Sequence, residues 1–290
     1  MRVLLIGFAL ALGTAAAQPG GSQPDRAYDE MLAAHTALQK AESARKRLDE
    51  PAPGAAAFDR EVDLRLEVPA PVKAYYAKRL DDALARAGVE DARPQYILLV
   101  DRSAHVQAGF LYWRSPEAAW HFIGASPVAT GRPGEYEHFL TPLGAFAHSL
   151  ANPDFRAEGT RNELGIRGYG VKGMRVYDFG WVEAERTWDP GGVSRMRLQV
   201  HSTDPDLLEP LLGTWHSKGC IRIPASLNVF IDRHGLLDAD YEAAVRSGYR
   251  VWVLRAEREP TSSPGRWLVV VDSQHTARPQ WAVPRSARKG

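Results

Sequence analysis

The chain has 290 residues, 44% of them hydrophobic and 24% charged, which is enough to bury a substantial core and too ordinary in charge for wholesale disorder. Its 36 basic and 35 acidic residues nearly cancel. That excludes the basic excess that phosphate-backbone recognition requires, so nucleic acid is not an expected partner.

In chain order, residues 1–17 read as a cleaved signal peptide. Arg2 is the positive start, Val3 to Gly13 is apolar, and Ala15-Ala16-Ala17 offers a small-residue cleavage site. The apolar run is shorter than the ~20 residues a membrane-spanning helix needs. The expectation is an exported protein, periplasmic or associated with the cell wall. Gln18 to Pro24 is a Gly/Pro/Ser-rich leader. Tyr28, Met31, Leu32, His35, Leu38 and Leu48 then fall at broadly helical intervals, predicting a helix over Asp25 to Glu50 that Pro51-Ala52-Pro53-Gly54 should stop. A second helix is predicted over Pro71 to Ala87, ended by Gly88. Residues 18–92 are therefore expected to be a helical extension.

Texture changes near Arg93. Strands are predicted over Tyr96 to Asp101, Gln107 to Trp113, Ala118 to Ile123, Gly144 to His148, Arg175 to Trp181, Met196 to His201, Tyr249 to Leu254 and Trp267 to Val271. Leu207 to Leu212 reads as a helical turn and Ala225 to His234 as a helix. The expected fold is mainly β, a sandwich or barrel-like domain over 93–258 with short helices. Residues 259–290 are expected to hold one further strand and a basic tail that frays from Arg278.

Cys220, the single cysteine, excludes an internal disulfide. It sits in Trp215-His216-Ser217-Lys218-Gly219-Cys220-Ile221-Arg222. A thiol becomes a nucleophile when its thiolate is favoured by nearby positive charge or an imidazole. Lys218 and Arg222 flank it. Gly219 removes bulk beside the sulfur, and backbone N–H groups near Gly219 and Cys220 are expected to face an oxyanion. Taken alone, a free cysteine is more often buried and inert. His201 closes the strand Leu198-Gln199-Val200-His201, with its ring on the face opposite the two aliphatics. Fifteen residues separate it from Ser217.

A histidine, this gap, then Ser-x-Gly-Cys-Ile-Arg resembles the L,D-transpeptidase family, the YkuD-type domain of bacterial cell-wall enzymes. Thr130-Gly131-Arg132 and Thr141-Pro142-Leu143-Gly144-Ala145-Phe146 resemble two further segments of that family. The resemblance spans roughly Arg93 to Leu254. One position departs, since Lys218 stands where the family has histidine. The resemblance implies Cys220 as nucleophile and His201 as base, oriented through the Ser202 main chain. Ser217, Lys218, Gly219 and Arg222 would shape the site, with Arg222 holding the loop or a substrate carboxylate. The implied reaction forms 3→3 cross-links between peptidoglycan stem peptides through a thioester, with partners a donor tetrapeptide and an acceptor amine.

Three alternatives stand beside it: an L,D-carboxypeptidase on the same scaffold, a papain-like peptidase, and a non-catalytic wall-binding protein with a structural Cys220. The papain-like order places cysteine before histidine, the reverse of this chain. No cofactor is implied. No His-Glu-x-x-His or clustered Cys/His spacing calls for a metal, and Gly165 to Gly173 lacks the ending of a phosphate-binding loop.

Overall fold

The computed structural model describes residues 51–284. The expected signal peptide, the leader, the helix over Asp25 to Glu50 and the end of the tail lie outside them. Two sheets and a few short helices make a mainly β protein. The first sheet takes the order β3-β2-β1-β9-β4, from Trp120–Pro127, Ala108–Arg114, Gln95–Asp101, Trp267–Val271 and Gly144–Ala147. The second takes β5-β6-β7-β8, from Phe155–Arg156, Arg175–Glu185, Val193–Ser202 and Ile221–Ile223.

β1 has no exposed residue, and its continuous apolar run has a direct cause. Tyr96, Leu98 and Val100 face the core shared with the second sheet, while Ile97 and Leu99 face a second core on the opposite side. β9 behaves alike, with Leu268 and Val270 on one side and Val269 and Val271 on the other. It pairs in parallel with β1 and antiparallel with β4, so the last described strand lies inside the first sheet.

The second core is roofed by α2 (Ala70–Arg86). Tyr76, Leu80, Ala83 and Leu84 form its buried stripe, at helical spacing. Gly88 at φ +66° ends the helix, with Val89 N–H returning to Leu84 O at 3.0 Å. α1 (Pro51–Glu61) corrects the expectation that Pro51 to Gly54 only stops a helix. Proline is tolerated in a first helical turn, where its missing N–H would have no partner. Phe58 of α1 lies where a Cβ on Gly124 would stand, 2.2 Å from that position, and meets Phe230 edge-on at 5.6 Å. The described residues all fall in one compact unit, and the expected boundaries near Arg93 and Arg258 run through it.

Two further elements differ from expectation. Tyr249 to Leu254 is not a strand but a run of turns. The Val253 carbonyl accepts the Arg156 guanidinium in place of a neighbouring strand, and Leu254 N–H turns back to Val251 O. A short helix, α4 (Ala239–Arg246), follows α3 (Ala225–His234) where none was expected. Among the described residues no helix is long and apolar enough to cross a membrane.

Candidate active site

β7 and β8 run parallel, with Val200 opposite Ile221 and His201 opposite Arg222. Cys220 stands just before β8, so the same register sets it beside Gln199, two residues from His201. Val200, Leu198, Ile221 and Ile223 point into the core and anchor both strands. The alternate positions, Gln199 and His201, are left on the other face.

His201 is buried, and its Nδ1 lies 2.7 Å from the Ser202 carbonyl oxygen. A carbonyl only accepts, so Nδ1 carries the proton and Nε2 is the basic nitrogen. Burial, with Arg222 adding to it, lowers the imidazole pKa to about 4. Burial also pushes the Cys220 thiol up to about 11, against the pull of the Gln199 N–H and Arg222. The resting pair is therefore thiol and neutral imidazole. Sγ donates to the Arg197 carbonyl at 3.5 Å, and no hydrogen bond among the described residues joins it to His201.

The loop before the sulfur is held from three sides. Ser217 Oγ donates to the Cys220 carbonyl at 2.5 Å and accepts the Gly219 N–H at 3.1 Å. That engages the N–H which was expected to face an oxyanion, so Gly219 serves geometry. It sits at φ +130°, and a Cβ there would meet Met196 Sδ at 2.8 Å. Thr141 Oγ1 donates to the Gly219 carbonyl at 2.7 Å and accepts the Gly131 N–H at 2.9 Å. Gly131 allows this approach, since a Cβ would fall 1.8 Å from Phe139 O. The Thr130 and Thr141 segments are thus brought onto the cysteine loop.

Lys218 does not act on the sulfur. It is exposed, and its Nζ pairs with Glu137 at 3.0 Å. The cation felt by Cys220 is Arg222, which is half-buried. Its Nη1 donates to the His216 carbonyl at 2.6 Å, and among the described residues no carboxylate pairs with it. Burial lowers its pKa, while Cys220 opposes that shift.

Several residues here had no motif to announce them. Tyr169, on the Gly-rich loop, sets its ring edge-on to His201 at 4.7 Å. Gly170 lets that loop touch Ser202, because a Cβ would lie 2.8 Å from its side chain. Asp178 is buried beside a bulge in β6, where its Oδ1 accepts the Gly180 N–H. Its Oδ2 accepts Arg197 Nε at 2.6 Å and Gln199 Nε2 at 2.9 Å.

His148, Asp154 and Asp238 form a buried group whose ligand atoms lie within 4.8 Å of one another, close enough to hold a cation. Arg175 already supplies one. Its guanidinium is 2.7 Å from Asp154 and from Asp238, so these residues are occupied and do not fit a metal. Two cavities lie away from Cys220. One, of about 590 Å³, is lined by Leu150, Tyr241, Tyr249 and Trp252. The other, of about 520 Å³, is lined by Lys172, Arg233, Arg255 and Arg258.

No protein-family model matches the sequence. No curated protein matches it. Among solved structures the chain is similar to the helical cell shape determining protein Pgp2 from Campylobacter jejuni, in a mutant form, at 10% identity and a TM-score of 0.28. That match covers 82% of this chain and 59% of the Pgp2 chain. Likeness at that level does not establish a shared fold.

Proposed function

We propose that the protein is an exported cysteine acyltransferase of the L,D-transpeptidase type, acting on peptidoglycan stem peptides. The observation that carries the reading is the parallel β7–β8 register, which sets Cys220 two residues across from a histidine whose Nδ1 is fixed on a main-chain carbonyl. The motif spacing of residues 201–222 and the apolar start of the chain support the substrate class and the export.

In this reading the Cys220 proton passes to His201 Nε2 as sulfur attacks the carbonyl before the terminal D-alanine. The tetrahedral adduct collapses, the carbon–nitrogen bond breaks, and the departing amine takes the proton from His201. A thioester remains on Cys220. An acceptor amine then gives a proton to His201 and attacks the thioester. The new amide forms, and the thiolate recovers its proton. With the thiol near 11 and the imidazole near 4, proton transfer between the resting pair is uphill. Transfer therefore accompanies attack and does not precede it as a resting ion pair. Arg222, which pairs with no carboxylate among the described residues, supplies a cation for substrate charge beside the sulfur.

Intact-mass spectrometry after incubation with a tetrapeptide donor or a carbapenem tests this. The expected result is one covalent adduct on the wild type, none on Cys220→Ser, and at least a hundredfold slower acylation of His201→Ala, in keeping with general base catalysis of roughly 10²–10⁴-fold. An unlabelled wild type would remove the proposal. Adding an acceptor amine separates cross-linked product from the hydrolysed product of a carboxypeptidase.

A further inference from the structure

The polar contacts around Tyr169 fix the direction of its hydrogen bond. Asp178 Oδ2 is ion-paired with Arg197 and acts as an acceptor, so the Gln199 group facing it at 2.9 Å is the NH₂. The amide oxygen of Gln199 consequently faces Tyr169, 3.2 Å from the hydroxyl. An amide oxygen cannot donate, so the phenol must. Its one proton is committed, and only lone pairs remain on the phenolic oxygen.

That oxygen belongs to a ring lying against the His201 imidazole and 39% exposed to solvent. Burial raises the phenol's pKa, and Cys220 raises it further, which places the two groups within electrostatic reach. The phenol stays protonated, and Gln199 holds its proton. The edge of the site beside the proposed base and nucleophile therefore offers a bare acceptor.

We infer that Tyr169 contacts the substrate directly, its phenolic oxygen accepting the N–H of the scissile amide as Cys220 attacks. The inference rests on the proposed acyl-transfer function and assigns the site a preference for amide over ester donors. As the amide nitrogen is protonated and leaves, it becomes a stronger donor. The contact therefore tightens in the transition state and acts on the acylation rate more than on ground-state binding.

The test compares a tetrapeptide donor with the ester analogue in which D-lactate replaces the terminal D-alanine, so that oxygen stands where the N–H was. Acylation of Cys220 is timed for wild type and Tyr169→Phe, which keeps the ring over His201. The amide donor is expected to acylate the variant about tenfold more slowly, the scale of one neutral hydrogen bond. The ester donor is expected to react at an unchanged rate, and this also shows that the variant is folded with its Cys220–His201 pair intact. Equal slowing with both donors would assign Tyr169 a purely structural role and overturn the inference, as would no slowing with either. A wild type acylated by neither donor would remove the parent reading and this inference with it.

Discussion

His201 trades solvent for a single fixed hydrogen bond, and that exchange has a thermodynamic sign. Its pKa is about 4 in the folded protein, below the ordinary value of about 6.5 in an unfolded chain. Between those values the unfolded state binds more protons, so stability rises with pH across that window and is lost as pH falls through 4. The contribution above pH 6.5 is about 3 kcal/mol at most. His201→Gln abolishes it. Thermal melts from pH 7.5 to 4.5 should show a smaller acid-induced drop in Tm for the variant than for the wild type. Identical slopes would show that His201 titrates normally. His148 works the other way: burial pulls its imidazole down, but Asp154 more than offsets this and leaves its pKa raised. Its stabilising contribution is present at low pH and fades as pH rises, so the comparison is made against the His201 variant and not on the wild type alone.

At the scale of elements, one arginine ties two helices to the second sheet. Arg175 opens β6 and bonds Asp154 ahead of β5, Asp238 ahead of α4 and, at 3.4 Å, Asp232 on α3. Its guanidinium also lies 4.9 Å from the rings of Tyr177 and Tyr241. Removing one member of a buried ionic cluster leaves the others uncompensated, at a cost of roughly 3–5 kcal/mol. Arg175→Met should lower the denaturant midpoint accordingly. Arg175→Lys should recover only part, because an ammonium cannot reach three carboxylates with a planar fork. A midpoint unchanged in Arg175→Met would contradict this account of the cluster.

The same elements show what sequence patterns reveal and what they leave out. β1, β9 and α3 were legible because burial on both faces, or on one helical stripe, writes a regular apolar pattern. Cys220, His201 and Ser217 stood out because they fall close together in the sequence, and the Thr141 segment stood out only through the family resemblance. Arg175, Asp178 and Tyr169 were not. Each looks like an ordinary surface residue in a one-dimensional string, and its partners come from distant segments. Tyr249 to Leu254 misled for the converse reason. It carries strand-like alternation, but Arg156 captures the carbonyl that a neighbouring strand would need. The charged neighbour of Cys220 in sequence, Lys218, points outward to Glu137, whereas Arg222 reaches the sulfur's surroundings because strand alternation returns it to the same face.

Across the molecule, the first sheet is lined on both faces, and each lining comes partly from the segment before Arg93. α2 roofs one core, and α1 inserts Phe58 between β3 and α3. His234 Nε2 also meets Glu61 Oε2 at 2.8 Å, tying α1 to α3. A chain cut to residues 93–290 would expose Ile97, Leu99, Phe110 and Tyr112 at once. Burial of side chains this large is worth about 1.5–3 kcal/mol each, comparable in sum to the whole stability of a domain. Circular dichroism should therefore show no cooperative thermal transition for residues 93–290, while residues 51–290 melt cooperatively. A cooperative melt from the shorter chain would mean that the helices decorate the fold and do not complete it.

The place of β9 has a consequence for how the molecule comes into being. Among the described residues, the strand that separates β1 from β4 is made after every other strand. Until then β1 has one open edge, β4 has no partner, and neither core can close. The first sheet therefore stays incomplete until Val271 has been made, and its assembly is paced by pairings of long sequence separation.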